Sequence, residues 1–151
     1  MYIMDDFIKR LPTDIILQII PYTYNLQNKN LLNDIINYKK IKSLLLELYH
    51  KYWIIDNHQE EQEDKYWLIN DIVGYVNNDK ATMFGYIDHF YNILKRNISL
   101  QTNEAVDKYI NKLEEKKVDT QINIYLGLLT TNERKDLIIN FYKIIELTYG
   151  F

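Results

Sequence analysis

The sequence predicts an all-α protein, and three observations lead there. Glycine occurs four times and proline twice in 151 residues, too few for the many tight turns of a sandwich or barrel. Apolar residues recur at spacings of three and four along most of the chain, the period of a helix face. Helix-start signals stand at Pro12 and at Thr130, the latter with Glu133 in the spacing of a reciprocal capping box.

Taken in order, the first helix opens at Pro12 or Thr13 in "LPTDIILQIIPYTY" (11–24). Proline suits a first turn because its missing N–H has no helical partner there, and Asp14 faces the positive end of the dipole. Ile15, Ile16, Ile19 and Ile20 form its oily face, and Pro21 stops it by forcing the preceding residue out of helical geometry. A helix of about two turns cannot stand alone in water, so it must dock on its own chain or on a partner.

After the polar "YNLQNKN", a second helix is expected over Asn30 to Tyr38 and a third over Ile41 to Trp53. The inner face of the third is read as Leu44, Leu45, Leu48 and Tyr52. "DNHQEEQED" (56–64) is the most polar stretch and reads as a connector. Beyond it, helices are expected at Lys65 to Val76, Thr82 to Lys95, Asn103 to Lys116, Thr120 to Leu128 and Asn132 to Thr148. The last carries a core stripe of Leu137, Phe141, Ile144, Ile145 and Thr148. The organisation predicted is therefore 1–55, a connector 56–64, and a C-terminal helical region 65–151.

Composition narrows the function classes. With 47% hydrophobic residues the chain can bury a core, while 26% charged residues and a net charge of −3 give neither a basic nucleic-acid face nor an acidic tail. Nucleic acid is not an expected partner. Having no cysteine excludes disulfides, a thiol nucleophile and thiolate zinc sites, and it fits a reducing, cytoplasmic compartment. The N-terminus "MYIMDDFIKR" lacks the apolar run of a secretory signal. Wholly apolar runs such as Leu44-Leu45-Leu46 fall far short of the ~20 residues that cross a bilayer. Tyrosine occurs 14 times and alanine only at positions 81 and 105. Helix propensity alone would favour the reverse, and this usage points to an A/T-rich genome.

Candidate chemistry is sparse. His58 lies in the connector among Glu60, Glu61, Glu63 and Asp64, but the glycine that a calcium loop needs at its sharp turn is absent, so a solvated loop is expected. His50 falls near the end of the third helix, where a protonated imidazole suits the dipole. Asp88 and His89 are neighbours that diverge on a helix and cannot act as one dyad; His89, between Tyr86 and Phe90, reads as half-buried packing. Lys39, Lys40 and Lys42 beside Tyr38 form the best candidate for nucleic acid, yet no basic stripe continues them, and an exposed helix start is the reading preferred. Motifs of metalloproteases, serine hydrolases and nucleotide loops do not occur. No catalytic residue, metal ligand or cofactor is expected. "LLNDIINY" (31–38) echoes "LINDIVGY" (68–75), but two copies fall short of the three repeats a solenoid needs, and chance or shared helix grammar is the reading preferred over an ancient duplication.

One family is suggested by "LPTDIILQII", a loop, and "LLNDIINYKKIKSLL". This stretch, within residues 10 to 50, resembles an F-box, in its Leu-Pro opening, an acid two positions later and a short Ile/Leu-rich helix. Lys39 and Lys40 stand where that family has two basic residues; its Val-Ser and Trp positions differ here. The chain as a whole resembles short F-box-like proteins encoded by large DNA viruses with A/T-rich genomes. The helical pattern predicts a compact domain of about seven or eight helices, and the resemblance implies an F-box-like N-terminal three-helix portion. It also implies a non-enzymatic adaptor, docking on a Skp1-like subunit of ubiquitin ligase machinery in the host-cell cytoplasm. Leu11, Pro12, Ile15, Ile16, Ile19, Ile20, Leu31 and Leu32 would make that contact, leaving residues from 65 onward to select a second protein. The alternative is a helical accessory subunit of a viral assembly, or a self-associating homo-oligomer that covers the same short helix.

Overall fold

The computed structural model describes the backbone of residues 12–15, 17–18 and 28–149, with side chains among these through Glu146. The chain is all-helical. Among the described residues it forms α1 (Lys29–Tyr49), a π-helical segment (His50–Asp56), α2 (Glu63–Val76), a 3-10 turn (Thr82–Phe84), α3 (Asp88–Leu94), α4 (Asn103–Glu114), α5 (Val118–Leu128) and α6 (Thr131–Tyr149), with no strand. No described helix is long and apolar enough to cross a membrane. Two compact units divide the chain, Met1–Asn33 and Asp34–Phe151.

In the first unit, Thr13, Asp14, Ile15, Leu17 and Gln18 are helical behind Pro12, as the proline-led reading expects. Pro21, its expected stop, lies outside the described residues. Asn28 caps α1, its side-chain oxygen accepting the Asn30 N–H at 2.9 Å.

Two expected helices, 30–38 and 41–53, are one. Neither glycine nor proline occurs between Tyr22 and Val73, and Lys39-Lys40 favour helix, so the rod continues through them. The buried stripe of α1 also differs: Ile41, Leu45 and Tyr49 face the core, whereas Leu44, Leu48 and Tyr52 are half-buried. At Tyr49 the helix widens into the π segment, where Asn57 N–H donates five residues back to the Tyr52 carbonyl at 3.1 Å. This widened stretch is aromatic. Tyr49 stacks on Phe141 at 4.3 Å, Tyr52 meets the same ring edge-on at 5.8 Å, and Trp53 stacks on Trp67 of α2 at 4.4 Å. Of the connector residues, Asp56 ends the π segment, Gln62 takes a left-handed conformation before α2, and Asp64 is buried.

The core of the second unit is built on α2 and α5, which pack more extensively than any other helix pair. Leu68, Ile72 and Val76 of α2, Ile122 and Leu126 of α5, and Phe90, Leu94, Val106, Ile110 and Leu113 are buried in one cluster. The expected helix over 82–95 does not form as one piece. Gly85 sits at φ 97°, a region costly for any residue with a Cβ, so the chain makes a 3-10 turn and restarts at Asp88. Buried Asn77 organises that loop: its amide donates to the carbonyls of Lys80 (2.8 Å) and Gly85 (3.3 Å), and its oxygen accepts the Ile87 N–H (3.0 Å). The remaining helices match the sequence reading within two or three residues at each end.

Two side-chain caps are formed, one of them, at Thr130, read from the sequence. Thr102 accepts the Ala105 N–H at 3.1 Å. Thr130 and Glu133 make the reciprocal box: Glu133 accepts the Thr130 N–H (2.7 Å) and donates its own N–H to the Thr130 hydroxyl (3.3 Å). Arg96 adds a two-pronged pair to the Glu133 carboxylate at 2.6 and 2.8 Å. In α6, Leu137 and Phe141 are buried and Ile145 packs on the core, but Ile144 is exposed; the Thr148 side chain lies outside the described residues.

The hydrogen bond from Arg96, with further bonds from Thr130, holds the Glu133 carboxyl well below its ordinary 4.5, at about 2. Because the folded value lies below the unfolded one, this stabilisation is complete above the unfolded value and is lost as pH falls toward the folded one. Glu133→Gln should therefore melt below the wild type at neutral pH, and the two melting temperatures should converge as pH drops through that window, as read by circular dichroism.

Candidate functional site

The residues expected to contact a partner divide into those the structure describes and those it does not. Leu11, Ile16, Ile19 and Ile20 lie outside the described residues. Pro12 is exposed and Ile15 is 37% exposed. Leu31 and Leu32, on the first turn of α1, are also exposed.

Farther along α1, in the second unit, Ile35 and Ile36 are 51% and 64% exposed. The internal echo shows how unusual this is. The equivalent residues of "LINDIVGY", Ile72 and Val73, are fully buried and half-buried in α2. One helix grammar thus serves two environments. What differs is the side chain each aspartate meets.

Asp71 of α2 accepts the Tyr49 hydroxyl at 2.5 Å, in a small cleft with Leu137 and Phe141. Burial pushes the Asp71 carboxyl up, opposed by that hydrogen bond, and burial beside Asp71 pushes the Tyr49 phenol up. Asp34 of α1 instead meets Arg134, whose side chain projects from α6 and is only 1% exposed. The guanidinium donates to the Asp34 carboxylate at 2.8 Å, to the Asn37 side chain at 3.2 Å and to the Leu126 carbonyl at 2.8 Å, and it lies over the Tyr38 ring at 5.4 Å. Burial raises the Tyr38 phenol, with the neighbouring charge opposing. Thr131 adds a longer bond to Asp34.

Sequence reasoning missed Arg134, although a signal was present. It stands three residues before Leu137 on the stripe that continues to Phe141, so it occupies a core register. Also missed was a cavity of about 540 Å³ bordered by α2, the loop 79–83, Tyr86, the end of α4 and α5. Its lining comes from separate parts of the chain, and no local spacing announces it.

Two of the three histidines contact neighbouring elements. His50 faces Asp64 at 3.1 Å. The His89 ring nitrogen bonds the Val76 carbonyl at 2.9 Å, satisfying the end of α2; its side chain is exposed, not half-buried as expected, because it reaches around the helix end. His58 adopts φ 54° in the exposed connector. Among the described residues no three acidic or imidazole groups gather as a metal site. Lys39 and Lys40 are exposed in mid-helix, where a helix start was expected, because α1 does not break there.

No family model, curated protein or solved structure matches this chain.

Asp34→Asn should remove the counter-ion of the buried Arg134 charge and, because the Asp34 carboxylate is itself 45% exposed, cost about 1.5 kcal/mol of unfolding free energy, the low end for a hydrogen bond to a charged group. Lys39→Ala on the exposed side of α1 should cost no more than about 0.5 kcal/mol. Urea titration of both variants checks the contrast.

Proposed function

We propose that this chain is a non-enzymatic protein–protein interaction adaptor, whose N-terminal helices dock on a Skp1-like helical subunit and whose residues from 65 onward engage a target. The F-box resemblance of Leu11, Pro12, Ile15, Ile16, Ile19 and Ile20 supports the first half of this reading. The observation that carries it is the exposure of Ile35 and Ile36 on α1, in a sequence grammar that is core elsewhere in the same chain. Large apolar side chains in mid-helix gain roughly 1.5–3 kcal/mol each when fully covered, a strong drive toward a partner. Exposed Ile15 and Leu17 in the first unit offer the same kind of surface.

Co-expression with Skp1 tests the reading. The wild type should co-purify with it, and Ile16→Asp, Ile19→Asp and Ile36→Asp should each abolish recovery, since an unpaired charge is ruinous in a desolvated contact. Unchanged helicity in the variants keeps the comparison meaningful. Recovery that survives all three substitutions, or no recovery of the wild type, overturns the Skp1 half of the proposal.

A further inference from the structure

Three features of the cavity beside α2 specify the chemistry of a guest. Its apolar lining comes from buried Ile69 and half-buried Val73, with the exposed Met83 at its rim. Its wall carries the carboxylates of Glu114 and Asp79 against the single ammonium of Lys80, so the lining is net negative. Among the described residues, neither carboxylate has a cation within ion-pairing distance.

The third feature is Tyr125. Its side chain lines the cavity and is only 3% exposed, yet its hydroxyl has no hydrogen-bond partner among the described residues. That hydroxyl is not one of the fully enclosed unpaired side-chain atoms among the described residues, so it opens to the cavity, where a guest can reach it. Beside it, the Tyr86 hydroxyl donates to the Glu114 carboxylate at 3.3 Å. Burial and the Glu114 charge push the Tyr86 phenol up to about 12, and burial with the charges of Tyr86 and Glu114 pushes Tyr125 up as well. The Glu114 field therefore reaches both hydroxyls.

We propose that this cavity binds a lysine or arginine side chain presented by a protein partner. A wholly apolar guest would desolvate Glu114 and Asp79 with nothing in return, and an acidic guest would be repelled. A basic side chain satisfies every feature. Its aliphatic stem covers Ile69, Val73 and Met83, and its cation meets Glu114, donates to the free Tyr125 oxygen and lies against two electron-rich rings. The loop that carries Asp79 and Met83 is held by Asn77, so the site is formed before any guest arrives. This assignment rests on the adaptor reading for its target side, but it is measured on the isolated chain with no Skp1 present, so the two stand or fall separately.

The probe is the peptide acetyl-Leu-Arg-Leu-amide, titrated into the full chain and followed by amide chemical shifts, with Leu-Gln-Leu and Leu-Glu-Leu counterparts. The arginine peptide should shift Val73, Thr82, Glu114 and Gln121, and the glutamine peptide should bind at least about tenfold more weakly, as expected for loss of a charge-assisted bond. Glu114→Gln and Asp79→Asn should each weaken the arginine peptide while leaving the glutamine peptide unaffected. Equal binding of the arginine and glutamine peptides, shifts confined to other surfaces, or no shifts at millimolar arginine peptide overturns the proposal. Because the peptide series uses the wild type, it decides the matter even if one variant fails to fold.

Discussion

A guanidinium inside a protein gives up its water, and the loss is worth several kcal/mol unless donors find acceptors in good geometry. Arg134 meets that demand from three directions: the carboxylate of Asp34, the amide oxygen of Asn37 and the backbone of Leu126. Since these acceptors lie on α1 and α5 while the charge rises from α6, one side chain fixes the register of three helices. The plane of Tyr38 beneath the cation excludes water from its remaining face. Few other positions of α1 are then open to choice: with Asp34, Asn37 and Tyr38 turned toward Arg134, Ile35 and Ile36 must turn outward.

That rotation links packing to the functional proposal. Farther down the helix, Ile41, Leu45 and Tyr49 enter the core in the ordinary apolar way. Thus α1 changes character along its length, from a stretch positioned by charge with isoleucines outside to one positioned by oil. The echo in α2 lacks an arginine opposite its aspartate. Asp71 takes a tyrosine hydroxyl instead, and Leu68, Ile69 and Ile72 are buried.

Much of the fold was legible because its helices carry local signals. The Thr130–Glu133 box, the Leu137–Phe141 stripe and the lack of turn residues each depend on neighbours within a few positions. Features set by tertiary partners were not. The unbroken α1, the π-helical turn under Phe141 and the half-buried Leu44 and Leu48 depend on what packs alongside. Gly85 was visible as a glycine, but its positive φ is a property of the loop that Asn77 holds. Local pattern placed Leu31 and Leu32 on the first turn of one helix, whereas Glu114, Tyr86 and Tyr125 meet only in three dimensions. No spacing rule would have joined them.

The dependence of α1 on Arg134 is tested most directly by native-state hydrogen exchange in Arg134→Met, which keeps the volume and removes the charge. Amides of residues 35–38 should exchange at least about tenfold faster than in the wild type, equivalent to losing ~1.4 kcal/mol of local protection, while those of Ile72 and Leu126 keep their rates. Unchanged exchange at 35–38, or equal acceleration throughout the core, would contradict the clamp as the element that orients α1.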